Sequence, residues 1–592
     1  MPYLPELTEG VQTRSMIEQF GGYNHNLRIN EGEWYDDLNL TSDYFPMFAC
    51  RKPRTVVKAN IAQPLGLIAK DSLAWIDGPT LYFNGLPVNG LVLSTREEDM
   101  PKQMVSMGAY ICIFPDGVYF NTKDSTDYGS MGASFSSGDG ARVTYTPCRA
   151  DGSEFNATVS DTEPSGPVNG AYWVDTSSEP HVLKQYSASS AAWVEIATTY
   201  VRIGVTGIGK QFAQYDGVTL SGIAYDGANA DVGVQLADLN TDSILYDVGD
   251  DYVIVTGILD AAYTQTSGSV IVERKVPRMD YVCESNNRLW GCYYGMSENG
   301  TLNEIYACKL GDFRNWHCFM GLSTDSYMVS VGTDGPFTGA IAHLGYPLFF
   351  KENFIHKIYG SYPGNYQMQT TACRGVQKGS WRSLAIVNEM LYYKSRQDVC
   401  AYDGSLPSGV SEQLGNDNYY TEAVAGAFDG KYYVCMKTGG EERMFVYDTM
   451  RGVWHRETAV PAVGFAAMDD SLCVLAGSVI LDLNGATGDV YEQQLEWMAT
   501  SGLIGYEMID QKYVSRFNIR MRMAQGSQCS LYIQYDSDGV WRHQGTIVQS
   551  GTDSFVMPVI PRRCDHFMIR LVGNGDAKIY SIAKIVEQGS DA

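Results

Sequence analysis

Arg51, Lys52 and Arg54 place three cations within four residues at the end of SDYFPMFACRKPR (42–54), in a chain of 592 residues whose formal net charge is -25. Guanidinium and ammonium groups give several charge-assisted hydrogen bonds to phosphate or carboxylate, so the trio can grip nucleic acid, hold an acidic partner or close a fold. A second set lies in RFNIRMRM (516–523). There Arg516, Arg520 and Arg522 alternate with Phe517, Ile519, Met521 and Met523, and a strand would show the cations on one face and the apolar side chains on the other. Such a stripe is about 20 Å long, enough to meet a row of phosphates or carboxylates. PRRC (561–564) extends the same positive surface.

Other residues that could do chemistry lack companions. His343 and His356 flank one apolar hairpin, but no carboxylate at ligand spacing completes a metal site, and they read as core or turn histidines. GVTGIG (204–209) has neither the following helix nor the Lys-Ser/Thr of a phosphate loop. YDSDGVW (535–541) shares only Ser537, Gly539 and Trp541 with the Ser-x-Asp-x-Gly-x-Thr-Trp box of sialidase propellers, and it reads as a polar hairpin turn. Nucleophile elbows, HExxH and EF-hand loops are absent. No catalytic, cofactor-binding or metal-binding residue is assigned, no cofactor is expected, and the chain is expected not to be an enzyme. The 13 cysteines are scattered without a CxxC pair, which suits buried reduced thiols formed in a cytoplasm.

The elements that must carry these residues are strands. Helical periodicity is nearly absent, with SMIEQF (15–20) as the one early helix candidate. Apolar strand, polar turn and aromatic strand recur around Gly345, Asn388, Gly430 and Asp470, a period near 40 residues. Four short strands per such unit are the mark of β-propeller blades, which cannot bury their faces singly. Earlier hairpins at 73–85, 104–121 and 281–295 fit the same pattern. The expected fold is all-β: a β-propeller of about six to eight blades with an inserted small β region and a C-terminal β-sandwich. The boundaries are 1–55 for an N-terminal arm and closing strand, 56–123 for the first blades and 124–276 for inserted acidic subdomains. The main blades run over 277–500 and the sandwich over 501–592. Within the arm, Asp43 to Cys50 is the strand expected to close the ring.

Charge is uneven. Between Asp124 and Asp260, 19 Asp and Glu stand against 5 Lys and Arg, a net of -14. From Gln511 onward, 10 Lys and Arg stand against 7 Asp and Glu, a net of +3. The acidic stretch repels phosphate and is not a DNA-gripping surface. No run of 18 apolar residues is present, and MPYLPELTEG lacks the regions of a signal peptide, so a soluble chain with no membrane-spanning segment is expected.

GGYNHNLRINEGEWYDDLNLTSDYFPMFACRKPR (21–54), YVCESNNRLWGC (281–292), EIYACKLGDFRNW (304–316) and LFFKENFIHKIYG (348–360) resemble segments of phage tail stabilisation and tail nozzle proteins of the tail tubular protein B type, from mainly short-tailed bacteriophages. The resemblance implies a structural virion protein of the phage tail, assembled in the host cytoplasm. It implies a homo-oligomer, six copies in a ring, forming a nozzle or head–tail connector around the DNA ejection conduit. Portal or adaptor and tail fibre or spike proteins are the implied partners, with double-stranded DNA passing unbound by sequence. Arg51, Lys52, Arg54, Arg516, Arg520 and Arg522 then become subunit-contact candidates, the first trio through carboxylates of its own chain or of a ring neighbour. The alternative is a tail-tip receptor-binding or glycan-degrading β-propeller protein.

Overall fold

The structure is a computed structural model that describes residues 12–96, 102–297, 300–485, 488–505 and 508–588. Strand accounts for 52% of it and helix for 3%, so the chain is all-β as expected. It divides into two compact units, one of Met1–Met104, Phe337–His356 and Thr370–Ala592, the other of Val105–Pro336 and Lys357–Gln369.

In the first unit, short antiparallel meanders follow the chain without crossovers. One comprises Pro64–Lys70, Ser72–Asp77, Thr80–Phe83 and Leu86–Val92. Two more comprise Ala385–Val387 to Ser408–Gly409 and Thr421–Phe428 to Val453–Glu457. This is the strand topology of propeller blades. The period near 40 residues has a local cause. Each inner pair is joined by a tight turn with left-handed residues: Leu344 and Gly345, Asn388 and Glu389, Asp429 and Gly430, and Asp469. Such turns match the right-handed twist of the strands they join, which is why Asn, Asp and Gly recur there. In the second unit, Tyr281–Ser285, Arg288–Ser297, Gly300–Ala307 and Tyr327–Ser330 form the same meander.

The last meander of the first unit, Ala462–Met468, Ser471–Ala476 and Val479–Asp482, receives its fourth strand from Thr55–Lys58. An end-to-end strand exchange was expected, but from Asp43 to Cys50. That segment instead keeps strand only at Phe48–Cys50, which pairs with Ala577–Gln588, because the apolar Phe48 and Ala49 are taken up by the sandwich core. Asp489–Val490 pairs with the other edge of Thr55–Lys58. Gly488 precedes it at φ +88, where a Cβ would stand 2.1 Å from the Val56 carbonyl oxygen. Only glycine allows that approach.

The C-terminal sandwich has two facing sheets around Trp497, Phe517, Ile519, Leu531, Ile533, Phe567 and Leu571. Lys512–Met523 alternates as its sequence predicts, with Phe517, Ile519 and Met521 at 0% exposure. One of the two sheets continues into a blade. Val453–Glu457 pairs with Gly22–Tyr23, then come Glu33–Leu38 and Glu496–Ser501. The chain's N-terminal segment is therefore the splice between blade and sandwich. SMIEQF differs from expectation: Gln12–Ile17 is an edge strand on Ala577–Gln588, since a partner strand satisfies its backbone better than an isolated turn of helix would.

In the second unit, strands between Ala133 and Arg274 form three small sheets. The helix Ala230–Ala237, capped by the Asn229 side chain, packs Val232 and Leu236 into their core. Trp173 and Trp193 meet edge to face across the four-stranded sheet of 157–195, whose first pair of strands is parallel, at 5.5 Å between centroids.

Candidate functional site

The first cation cluster is internal. Arg51 is bidentate on Glu492, Nη1 and Nη2 donating at 2.7 and 2.8 Å, and its Nε donates to Asn39 Oδ1 at 3.0 Å. Arg54 Nη2 donates to Glu457 Oε2 at 2.8 Å, and the Arg54 backbone N–H donates to Glu492 Oε2 at 2.9 Å. Glu457 also lies 3.3 Å from Arg51 Nε. Two cations and two carboxylates thus share one site, with Arg54 1% exposed. Burial alone would pull the Arg51 pKa down, but Glu457 and Glu492 outweigh it. Burial likewise pushes Glu492 up, and Arg51 and Arg54 hold it below its ordinary value. Arg51 and Arg54, candidates for contact between subunits, therefore spend their charge inside the chain, on Glu457 and Glu492, just ahead of the closing strand Thr55–Lys58. Lys52 between them points to solvent.

The second cluster faces outward. Arg516, Arg520 and Arg522 are exposed, and Arg520 Nε donates to Ser554 Oγ at 3.2 Å. Strand register places Lys578 opposite Arg522 and the exposed Arg14 opposite Ile585, itself opposite Arg516. This sheet face thus carries Arg14, Arg516, Arg520, Arg522 and Lys578, together with Glu587, which accepts from the Tyr513 hydroxyl at 2.5 Å.

His343 and His356 each have a separate partner: His343 Nε2 lies 2.7 Å from the Glu389 carbonyl oxygen, and His356 Nδ1 lies 2.9 Å from Thr370 Oγ1. Burial lowers the His356 pKa to about 4. GVTGIG ends a strand, and Gly209 is required because a Cβ would stand 2.0 Å from the Gly249 carbonyl oxygen.

A cleft of about 290 Å³ lies beside the meander of 385–409, where the polar run LGNDNYY (414–420) leads into Thr421–Phe428. Arg374, Lys394, Asp398, Glu412, Asn416, Asn418 and Tyr419 line it. Arg374 Nη1 pairs with Asp398, whose other oxygen accepts from Ser395 Oγ at 2.6 Å. Tyr419 is 60% exposed, and Gln377 Nε2 donates to its hydroxyl at 2.9 Å, so the ring is held by its rim with a face to solvent. Burial lowers Lys394 to about 8, against which Asp398 acts. An aromatic face flanked by amides, carboxylates and a guanidinium suits a polyhydroxylated ligand: the ring meets C–H faces and the fixed polar groups take hydroxyls. Sequence reading missed this cleft. Its signal was LGNDNYY, too polar for a strand and ending in two aromatics.

No family model and no curated protein matches the chain. Solved structures that it resembles include an acylaminoacyl peptidase, at 11% identity and TM-score 0.24 over 60% of this chain and 56% of that one. The chain thus spans a little over half of that peptidase. They also include an exo-beta-1,3-galactanase from Phanerochaete chrysosporium (8% identity, TM-score 0.21, 51% of this chain and 95% of that one). A third is a glycoside hydrolase family 43 arabinoxylan arabinofuranohydrolase from Bacillus subtilis (10% identity, TM-score 0.15, 51% and 94%). The expectation of a chain that is not an enzyme is corrected by these matches, which are to a peptidase and glycoside hydrolases. At such TM-scores the likeness transfers no residue role.

Proposed function

We propose that the chain is a β-propeller protein of a bacteriophage tail that recognises, and acts on, glycan of the host surface through the cleft beside Tyr419. In the first unit, the meanders 64–92, 385–409 and 421–457, with the one at 462–482 completed by Thr55–Lys58, supply the body. The observation that carries the reading is Tyr419, held by Gln377 with its ring open to solvent among Arg374, Asp398, Glu412, Asn416 and Asn418. Asp398 and Glu412 are the carboxylates lining this cleft, and a pair of carboxylates is what glycosidic hydrolysis uses. The phage setting rests on the sequence resemblance. Titration of the protein with host polysaccharide, read by calorimetry and by release of reducing ends, tests the proposal. Tyr419→Ala is expected to weaken binding at least tenfold, about 1.4 kcal/mol. Absence of binding by the wild-type protein, or unchanged binding by that variant, would refute it.

A second reading, a subunit of a homohexameric nozzle or connector ring around the DNA conduit, is favoured by the outward face of Arg14, Arg516, Arg520, Arg522 and Lys578. A cationic sheet face in so acidic a chain suits an acidic surface of a neighbouring copy or of an adaptor.

A further inference from the structure

The hairpin YDSDGVW was read from sequence as a polar turn, and the structure gives it company. Tyr535 and Asp538 close a tight turn, with the Asp538 N–H donating to the Tyr535 carbonyl at 3.0 Å. Asp536 and Ser537 occupy its corner at φ 50 and 52, left-handed values that side chains other than Gly, Asn and Asp seldom adopt. The turn presents Ser537 to solvent. Asp536 Oδ1 accepts the Asp565 N–H at 2.8 Å, tying the turn to the segment that carries Asp565 and His566.

Ser537 Oγ lies 2.8 Å from His566 Nε2, and His566 Nδ1 lies 3.0 Å from Asp565 Oδ2. The tautomer follows from the partners. An ionised carboxylate can only accept, so Nδ1 carries the proton and donates to Asp565. When the ring is neutral, Nε2 is then an acceptor, to which the Ser537 hydroxyl donates. The His566 hydrogen bond also holds the Asp565 carboxyl below its ordinary range. Serine, histidine and carboxylate are thus connected in the order, and with the donor directions, of an acyl-transfer triad, a constellation recognised by geometry rather than by position in the chain. The neighbouring carboxylate of Asp538 would repel a developing oxyanion. It is neutralised by Arg542 Nη2 at 2.7 Å and Arg562 Nη1 at 3.7 Å.

We propose that Ser537, His566 and Asp565 form a nucleophilic site for short acyl esters, separate from the glycan cleft. Ser537 Oγ attacks the ester carbonyl while its proton passes to His566 Nε2. The C–O bond to the alcohol then breaks and His566 returns the proton to the leaving oxygen. Water, activated by the same nitrogen, attacks the acyl-serine, releasing the carboxylic acid and restoring the hydroxyl. Asp565 is the positioning residue, fixing the ring and its tautomer. The open turn encloses no acyl chain, which limits the substrate to small groups such as acetyl.

A biotinylated fluorophosphonate and p-nitrophenyl acetate test this on the full chain. The probe should phosphonylate Ser537, located by peptide mass spectrometry. Ser537→Ala should abolish labelling, and His566→Gln should slow both labelling and ester hydrolysis by about 10²-fold or more. Asp565→Asn should slow labelling while Asp565→Glu restores it, a rescue that a purely structural role would not give. Circular dichroism of each variant should match the wild type. Absence of labelling in the folded wild-type protein, labelling elsewhere than at Ser537, or unchanged ester hydrolysis in Ser537→Ala would overturn the proposal. None of these readouts involves Tyr419, so its failure and that of the glycan reading are separable.

Discussion

Glu457→Gln is the sharpest probe of how the first unit closes. The substitution keeps shape and removes one negative charge from a site where Arg51 and Arg54 otherwise face Glu457 and Glu492. Arg54 is 1% exposed, so water cannot replace the lost partner. Removing one member of a buried ion pair costs about 3 to 5 kcal/mol, because the remaining charge stays buried without compensation. That cost falls on the seam between Thr55–Lys58 and Val479–Asp482, whose pairing the cluster flanks. At about 4 kcal/mol and about 1.4 kcal/mol per decade, amide exchange at Thr55–Lys58 should accelerate by about three orders of magnitude. The turn-and-strand core around Met390–Tyr402 should hold its protection. Replacing both partners, Arg54→Met with Glu457→Met, should recover much of the loss, since apolar substitutes for a buried pair are often neutral or better. Hydrogen exchange with mass spectrometry reads all three proteins. Acceleration under tenfold in Glu457→Gln, or a double variant as open as the single one, would refute the reasoning.

Two further outcomes follow from the described side chains. Burial lowers His356 from 6.5 to about 4, so between those values the unfolded chain takes a proton that the folded chain refuses. Stability should therefore fall as pH drops from 6.5 toward 4, by up to about 3 kcal/mol, and His356→Gln should flatten that window in urea titrations. Changing Arg516, Arg520 and Arg522 together to Glu should leave circular dichroism unchanged and dissolve any oligomer seen by sedimentation velocity, and an unaltered oligomer would reject the ring reading.

What could be read from sequence was local. RFNIRMRM announces its faces because a strand buried on one side must alternate, and Phe517, Ile519 and Met521 are buried as that requires. The turns at Asn388 and Gly430 were legible because their left-handed corners need those residue types. The closing strand was misplaced by a few residues, since DYFPMFAC and RTVVK are equally strand-like and only the sandwich core decides between them. The carboxylates that meet Arg51 and Arg54 were invisible, as they are brought in by sheet closure rather than by spacing. The same holds for Ser537 and His566, which belong to different strands' ends, and for the cleft, where residues near 374, 398 and 415 converge through loops.

The strand exchange at Thr55–Lys58 also sets an order of events during synthesis. Arg51 and Glu492 are 441 positions apart, so the N-terminal arm leaves the ribosome long before its partners exist. At about 5 to 20 residues per second, that interval is tens of seconds. Throughout it the edge of Thr55–Lys58 and the cations beside it lack their partners, and the earlier meanders must hold their shape as an open series. Closure of the first unit is therefore a late event of high contact order, and a slow one. A cell making this protein in quantity has reason to occupy that edge with a chaperone until the last meander arrives.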